Sequence, residues 1–215
     1  MSTDSLLQQA VLAELSWEPS VSSAHIGVTA NDGVVTLTGY VESFVEKHAA
    51  EAAASRVKGV KAVAEEIEVR LTPSMTRTDV EIAAAALESL SWDVSVPKDK
   101  VKVKVEKGWV TLTGEVNWHF QKDAAERDIR RLFGVVGVSN QIAIKPHVRP
   151  SDVAERIKDA LHRSWFNPAD ISVSSVGGKV LLDGSVRSWH ERQLAEAAAW
   201  GAPGVTHVED NLTIA

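Results

Sequence analysis

The chain has no cysteine, so neither a disulfide framework nor a thiolate metal site is open to it. No apolar run approaches the roughly 20 residues needed to span a bilayer. The opening Met1-Ser-Thr-Asp-Ser-Leu-Leu-Gln-Gln has neither the basic stretch nor the apolar stretch of a secretory signal. These absences set the expectation of a soluble, cytoplasmic protein. An excess of positive charge is missing too. The net charge is −6, which counts against nonspecific nucleic-acid binding, since that needs a basic footprint. The charge is unevenly spread. Residues 1–73 hold five Lys/Arg against ten Asp/Glu, residues 74–146 eleven against ten, and residues 147–215 seven against nine. Only the middle stretch could present a basic face. With 44% hydrophobic and 24% charged residues, the composition is otherwise that of a globular protein.

What is present is a phrase written three times, Gly-x-Val-x-Leu-x-Gly. It begins at Gly33, Gly108 and Gly178 and ends at Gly39, Gly114 and Gly184. A Gly-Val pair follows each copy, at Gly59, Gly134 and Gly204, in every case 20 residues beyond the closing glycine. Self-similarity at this period means one folding unit copied in tandem. It gives three domains, expected at 1–73, 74–146 and 147–215. Short proline-bearing joints at Thr72–Thr78 and Pro146–Ser151 should keep neighbouring units in contact.

Each unit reads the same way. Asp4, Asp79 and Asp152 stand 13 residues before Trp17, Trp92 and Trp165, and each aspartate is placed to cap a first helix. Leu7, Val11 and Leu15, then Ile82, Ala86 and Leu90, recur at helical spacing, with Ile157, Ala160 and Leu161 less regular in the third copy. Alternating apolar residues flank the turns Asp32-Gly33, Lys107-Gly108 and Gly177-Gly178, a hairpin pattern in which glycine supplies the positive φ. Gly39, Gly114 and Gly184 are expected where the strand bends or another backbone approaches closely. Ser43-x-x-Glu46 and Ser188-x-x-Glu191 open a second, alanine-rich helix with capping boxes. A short apolar strand closes the unit, ending in Ile67 and Val69, Ile142 and Ile144, Leu212 and Ile214. The order is α-β-β-α-β, so the fold class is α+β: three tandem two-layer sandwiches, each with both helices on one face of a three-stranded sheet.

This arrangement resembles the BON domain, a family named for bacterial osmotically induced and nodulation proteins. The match runs through Gly33, Val35, Leu37, Gly39, Gly59, Val60 and Val63 in the first copy and the corresponding residues from Gly108 and from Gly178 in the others. The resemblance implies a non-catalytic module associated with phospholipid membranes, stress protection and attachment to other proteins or envelope structures.

The residues themselves suggest little chemistry. The seven histidines do not recur with the repeat, and none pairs at i,i+4, so no metal site and no cofactor are expected. Glu65 and Glu66 would point to opposite faces of a strand, and no Gly-Lys-Ser/Thr follows the glycines. An enzyme is not expected. The alternating Lys98, Lys100, Lys102 and Lys104 are different. On a strand they would share one face opposite Val101, Val103 and Val105, a solvated face or a surface for an anionic partner. Arg127, Arg130 and Arg131 on the next helix would extend it if they shared that side. Trp109 takes an outward position held by Val34 and Lys179 in the sister copies. Trp17, Trp92 and Trp165 recur with the frame and are expected to pack at the end of the first helix. Trp118 and Trp189, at the start of the second helix like Phe44, suit packing between repeats or a membrane interface. The leading reading is a binding or scaffold protein, associating with anionic phospholipid or a membrane-associated protein in stress adaptation. The alternative is a structural protein that forms a homo-oligomer through its apolar and aromatic surfaces.

Overall fold

Leu7, Val11 and Leu15 stand one helical turn apart and form the buried stripe of α1 (Thr3–Trp17) in the computed structural model, which describes residues 3–145, 153–163 and 170–214. A short 3-10 turn, Ser23–His25, leads into β1 (Ile26–Asn31) and β2 (Val34–Val41), followed by α2 (Phe44–Ser55) and β3 (Ala62–Val69). The second copy is α3 (Asp79–Trp92), β4 (Val101–Glu106), β5 (Trp109–Val116), α4 (His119–Arg130) and β6 (Gly137–Ile144). The third is α5 (Val153–His162), β7 (Ile171–Val176), β8 (Lys179–Val186), α6 (Trp189–Trp200) and β9 (His207–Ile214). Each copy is therefore α-β-β-α-β with its own three-stranded sheet, in strand order 1-2-3. In the first sheet β1 runs antiparallel to β2, while β3 returns parallel to it through α2. β7, β8 and β9 repeat that pattern.

In the first and third copies the inward residues of the sheet meet the helices in a core of their own. In the first copy Val28, Val35, Leu37 and Ile67 pack with Val11, Leu15, Ala50, Ala53 and Ala54. In the third, Val173, Val180, Leu182 and Leu212 pack with Ile157, Leu161, Ala195 and Ala199. The stripe of α5 is Val153, Ile157 and Leu161, a clean i,i+4,i+8 series, and Ala160 is only half-buried beside it. Two compact units divide the chain, and the division runs through the second copy. One comprises Met1–Trp92, Val103–Thr111 and Glu126–Ser139; the other comprises Asp93–Lys102, Leu112–Ala125 and Asn140–Ala215.

Asp4 and Asp79 lie within their helices rather than ahead of them as caps. Thr78 caps α3: its Oγ1 accepts from the Glu81 N–H at 3.3 Å, and Glu81 accepts from the Thr78 N–H at 2.8 Å, a capping box. Asp79 instead turns toward the hairpin and accepts from the Lys107 and Gly108 N–H groups at 2.8 and 2.9 Å. Asp4 does the same to the Asp32 N–H at 3.0 Å. Both hairpin turns have two central residues at positive φ, Asp32 and Gly33 at 50° and 87°, Lys107 and Gly108 at 51° and 77°. The N–H groups of Asp32, Lys107 and Gly108 face the helix rather than the ladder. Asp152 lies outside the described residues, as does the second joint.

The closing glycines of the phrase answer to a close approach. Gly39, Gly114 and Gly184 have φ of 111°, 137° and 129°. They sit inside their strands, two residues short of the end. A Cβ there would strike the carbonyl oxygen of His25, Lys100 or Asp170, the residue just before each first strand.

The second helix is tied to the last strand by a polar residue beneath it. Lys47 pairs with Glu65 at 2.9 Å and Arg192 with Asp210 at 2.7 Å. In the middle copy, Asn140 donates to the Lys122 carbonyl at 2.9 Å. Ser43 and Ser188 cap α2 and α6, accepting from the Glu46 and Glu191 N–H groups at 3.2 Å. The two glutamates reach back one residue further than in a capping box, to the N–H groups of Glu42 and Arg187 at 3.0 and 2.8 Å.

Candidate functional site

The lysine run is only partly a strand. Lys102 and Lys104 lie in β4 and are exposed opposite half-buried valines. Lys98 lies in a turn ahead of the strand, where the Lys100 N–H donates to the Pro97 carbonyl at 3.3 Å. Asp99 there adopts a left-handed φ of 60°, which breaks the alternation. Alternation of residue types alone could not reveal that break. All four lysines are exposed, but Lys104 is held at 2.9 Å by Glu106 on the same strand. The basic face is therefore shorter and less positive than its sequence suggests.

The arginines lie in the first compact unit, as Lys104 does. Arg130 pairs with Glu126 at 2.9 Å and is only 21% exposed. With Arg131 it lines a hollow of about 210 Å³ that Phe44, Leu71, Met75 and Phe133 share in the first compact unit. α4 belongs to the helix layer, whereas Lys104 stands on the open face of the sheet. Arg127 is exposed in the last turn of α4. Inside the same unit, His48 on α2 has its pKa held below 6.5, first by burial and then by the Arg130 charge, partly offset by Glu51 and Glu126. The Arg77 guanidinium lies 5.4 Å from the centre of the Phe133 ring.

The tryptophans depart furthest from expectation. Trp17 and Trp92 do not pack at the ends of their helices; they are 83% and 79% exposed. The reason is helical phase. Each stands two residues past the last buried leucine, Leu15 or Leu90, and is thus turned about 200° from the core stripe. That signal was in the sequence. Trp165, the third member, lies outside the described residues. Beside Trp17, Arg56 bridges Glu14 at 3.0 Å and Glu18 at 2.9 Å. Glu18 has a lowered pKa from its hydrogen bonds to Ser20 and Arg56, and Arg56 a raised one from the same carboxylates. The acidic charge around Trp17 is thereby partly cancelled. On α3, Val80 and Leu87 are also exposed, at 80% and 58%.

Trp109 is half exposed, as its outward position implies, and its ring covers Gly137. Trp189 lies under the Arg192 guanidinium at 5.3 Å. Trp118 precedes α4 and is 36% exposed. Among the described residues, no group of three or more His, Asp or Glu is placed to hold a metal ion, and no helix is long and apolar enough to cross a membrane.

Comparison with known proteins agrees with this architecture. The family model described as BON domain matches residues 3–70, 78–146 and 151–215. Osmotically-inducible protein Y of Escherichia coli K12 is 33% identical over 150 residues, which is 66% of this chain and 73% of that protein. Two solved structures of CdsD, a structural protein of the Type III secretion system of Chlamydia trachomatis, align over 96% and 97% of this chain and 91% and 97% of theirs. Their identities are 17% and 16% and their TM-scores 0.26 and 0.28, too low to bear on fold or function. The chain belongs to the BON domain family, of which it carries three copies in tandem.

Proposed function

We propose that this is a non-enzymatic binding protein of osmotic or related stress, which associates with anionic phospholipid surfaces through Trp17 and Trp92. The observation that carries this reading is the exposure of both rings at matching repeat positions. A tryptophan left in water forgoes a few kcal/mol of burial, and its core has no use for it there. Its indole suits the boundary between apolar chains and headgroups. Lys98, Lys100, Lys102 and Lys104 supply the attraction at about 1 kcal/mol each near an anionic surface, reduced at Lys104 by Glu106. Trp109 adds an interfacial ring on the same repeat. The relationship to Osmotically-inducible protein Y supports the stress setting. A membrane-associated protein with an anionic surface would be met by the same groups.

The test is co-sedimentation with phosphatidylglycerol vesicles. The parent sediments, and Trp17→Ala with Trp92→Ala stays in solution while keeping the parent's melting temperature. A second reading, homo-oligomer formation, is favoured by the exposed Val80 and Leu87 on α3. Light scattering on the same samples separates the two.

A further inference from the structure

The second compact unit contains a hollow of about 360 Å³ where the first turn of α4 meets the last turn of α6. Four rings line it, Trp118, His119, Phe120 and Trp200, together with the carboxylates of Asp123 and Glu196. His119 stacks on Trp200 with ring centres 4.0 Å apart and planes 20° from parallel. Both carboxylates are held in place, Asp123 by the His119 Nδ1 at 2.8 Å and Glu196 by the Trp200 indole N–H at 3.3 Å. Neither lysine nor arginine lines the hollow. Phe120 is 56% exposed, so the rings border open space rather than fill a core.

We infer that this hollow binds a quaternary ammonium group. The faces of aromatic rings carry negative quadrupole density, and two fixed carboxylates add formal negative charge, so an anion is repelled. Among the described residues no group of three or more His, Asp or Glu is placed to hold a metal ion, and two carboxylates alone leave most of a hard cation's shell to water. A primary ammonium could donate to Asp123 and Glu196, but it must satisfy three donors and the ring faces accept none of them, so it gives up more hydration here than it regains. A quaternary ammonium has no donors to satisfy and presents an apolar, positively charged surface, the combination that aromatic cages recognise. The helix ends do not decide the matter. The start of α4 disfavours a cation and the end of α6 favours one, each with roughly half an elementary charge. The carboxylates tip the balance. The source of the group is either a free trimethylammonium solute or a phosphatidylcholine headgroup.

The full-length chain is titrated with choline chloride while the tryptophan indole N–H resonances are followed. A parallel titration uses 3,3-dimethylbutanol, the neutral carbon isostere of choline. Choline moves the Trp200 and Trp118 resonances saturably in the millimolar range, and the isostere binds about tenfold more weakly or worse. Asp123→Asn with Glu196→Gln, chosen to keep shape and folding, weakens choline by about tenfold or more, with the remaining indole resonances unmoved. Trp17→Ala with Trp92→Ala leaves choline binding unchanged, which separates this site from the membrane reading. Sedimentation with phosphatidylcholine vesicles that choline competes away assigns the headgroup as the source; binding of choline without sedimentation assigns the free solute. Equal affinity for choline and its isostere, the absence of saturable shifts at Trp200, or full affinity in the double carboxamide variant overturns the inference.

Discussion

The six-membered ring of Trp109 covers Gly137 on the neighbouring strand so closely that a Cβ there would overlap three ring atoms. In the first copy the equivalent pair is Val34 opposite Ala62, and in the third Lys179 opposite His207. The large ring and the missing side chain thus belong together, an aromatic covering a glycine in a strand. Gly137→Ala should destabilise the chain by about 1–3 kcal/mol through overpacking. In a Trp109→Val background the same change should cost much less, with a coupling of at least ~0.5 kcal/mol. Urea midpoints of the four variants measure it. Additive losses would mean that the ring and the glycine are independent.

Gly114 makes a stronger demand. Its left-handed φ and the approach of the Lys100 carbonyl act at once, so Gly114→Val combines backbone strain with overlap. The expected loss is about 3 kcal/mol or more. An unchanged melting temperature would show that the closing glycine of the phrase is dispensable.

Asp79 locks a turn to a helix. Asp79→Ala leaves the Lys107 and Gly108 N–H groups without their carboxylate, and should cost about 1–2 kcal/mol, somewhat below a buried charged hydrogen bond because the site faces water. Hydrogen exchange at these two amides should accelerate while the amides of β2 keep their protection.

His48 sets a pH dependence. Its folded pKa lies below the ordinary 6.5, so between that value and the lower folded value the unfolded chain binds the proton more readily. Stability is present in full above pH 6.5, falls as the pH drops through that window, and levels off below the folded pKa. The side chain is 46% exposed, which keeps the effect small. His48→Gln should flatten the melting temperature across this range relative to the parent. An identical pH profile in both would remove Arg130 and burial as the cause.

The repeat, the element order and the helix caps at Ser43 and Ser188 were legible because each rests on local chemistry at fixed spacing. The core stripes of α1 and α3 were legible for the same reason, while in α5 Val153 and not Ala160 completes the stripe. Asp79 was misread because a cap and a turn clamp use the same carboxylate, and only the fold brings Lys107 beside it. Lys98 was misread because residue alternation does not report the left-handed turn at Asp99. The exposure of Trp17 and Trp92 could have been read from helical phase, since both fall two residues beyond a core leucine. The hollow bordered by His119 and Trp200 could not, because those residues are 81 positions apart and no periodicity joins them.

On the proposed reading, Trp17 and Trp92 on the first helices hold this chain to an anionic lipid surface. The most direct test compares the parent, the Trp17→Ala/Trp92→Ala variant and the Lys98, Lys100, Lys102 and Lys104 to Gln variant in vesicle co-sedimentation. Phosphatidylglycerol is set against phosphatidylcholine at low and physiological salt. The parent should sediment with phosphatidylglycerol, more strongly at low salt because added salt shortens the reach of the lysines. The lysine variant should lose that salt dependence and most of its affinity, and the tryptophan variant should stay in the supernatant at either salt. A parent that remains in the supernatant with phosphatidylglycerol, or a tryptophan variant that sediments as fully as the parent, would contradict this reading.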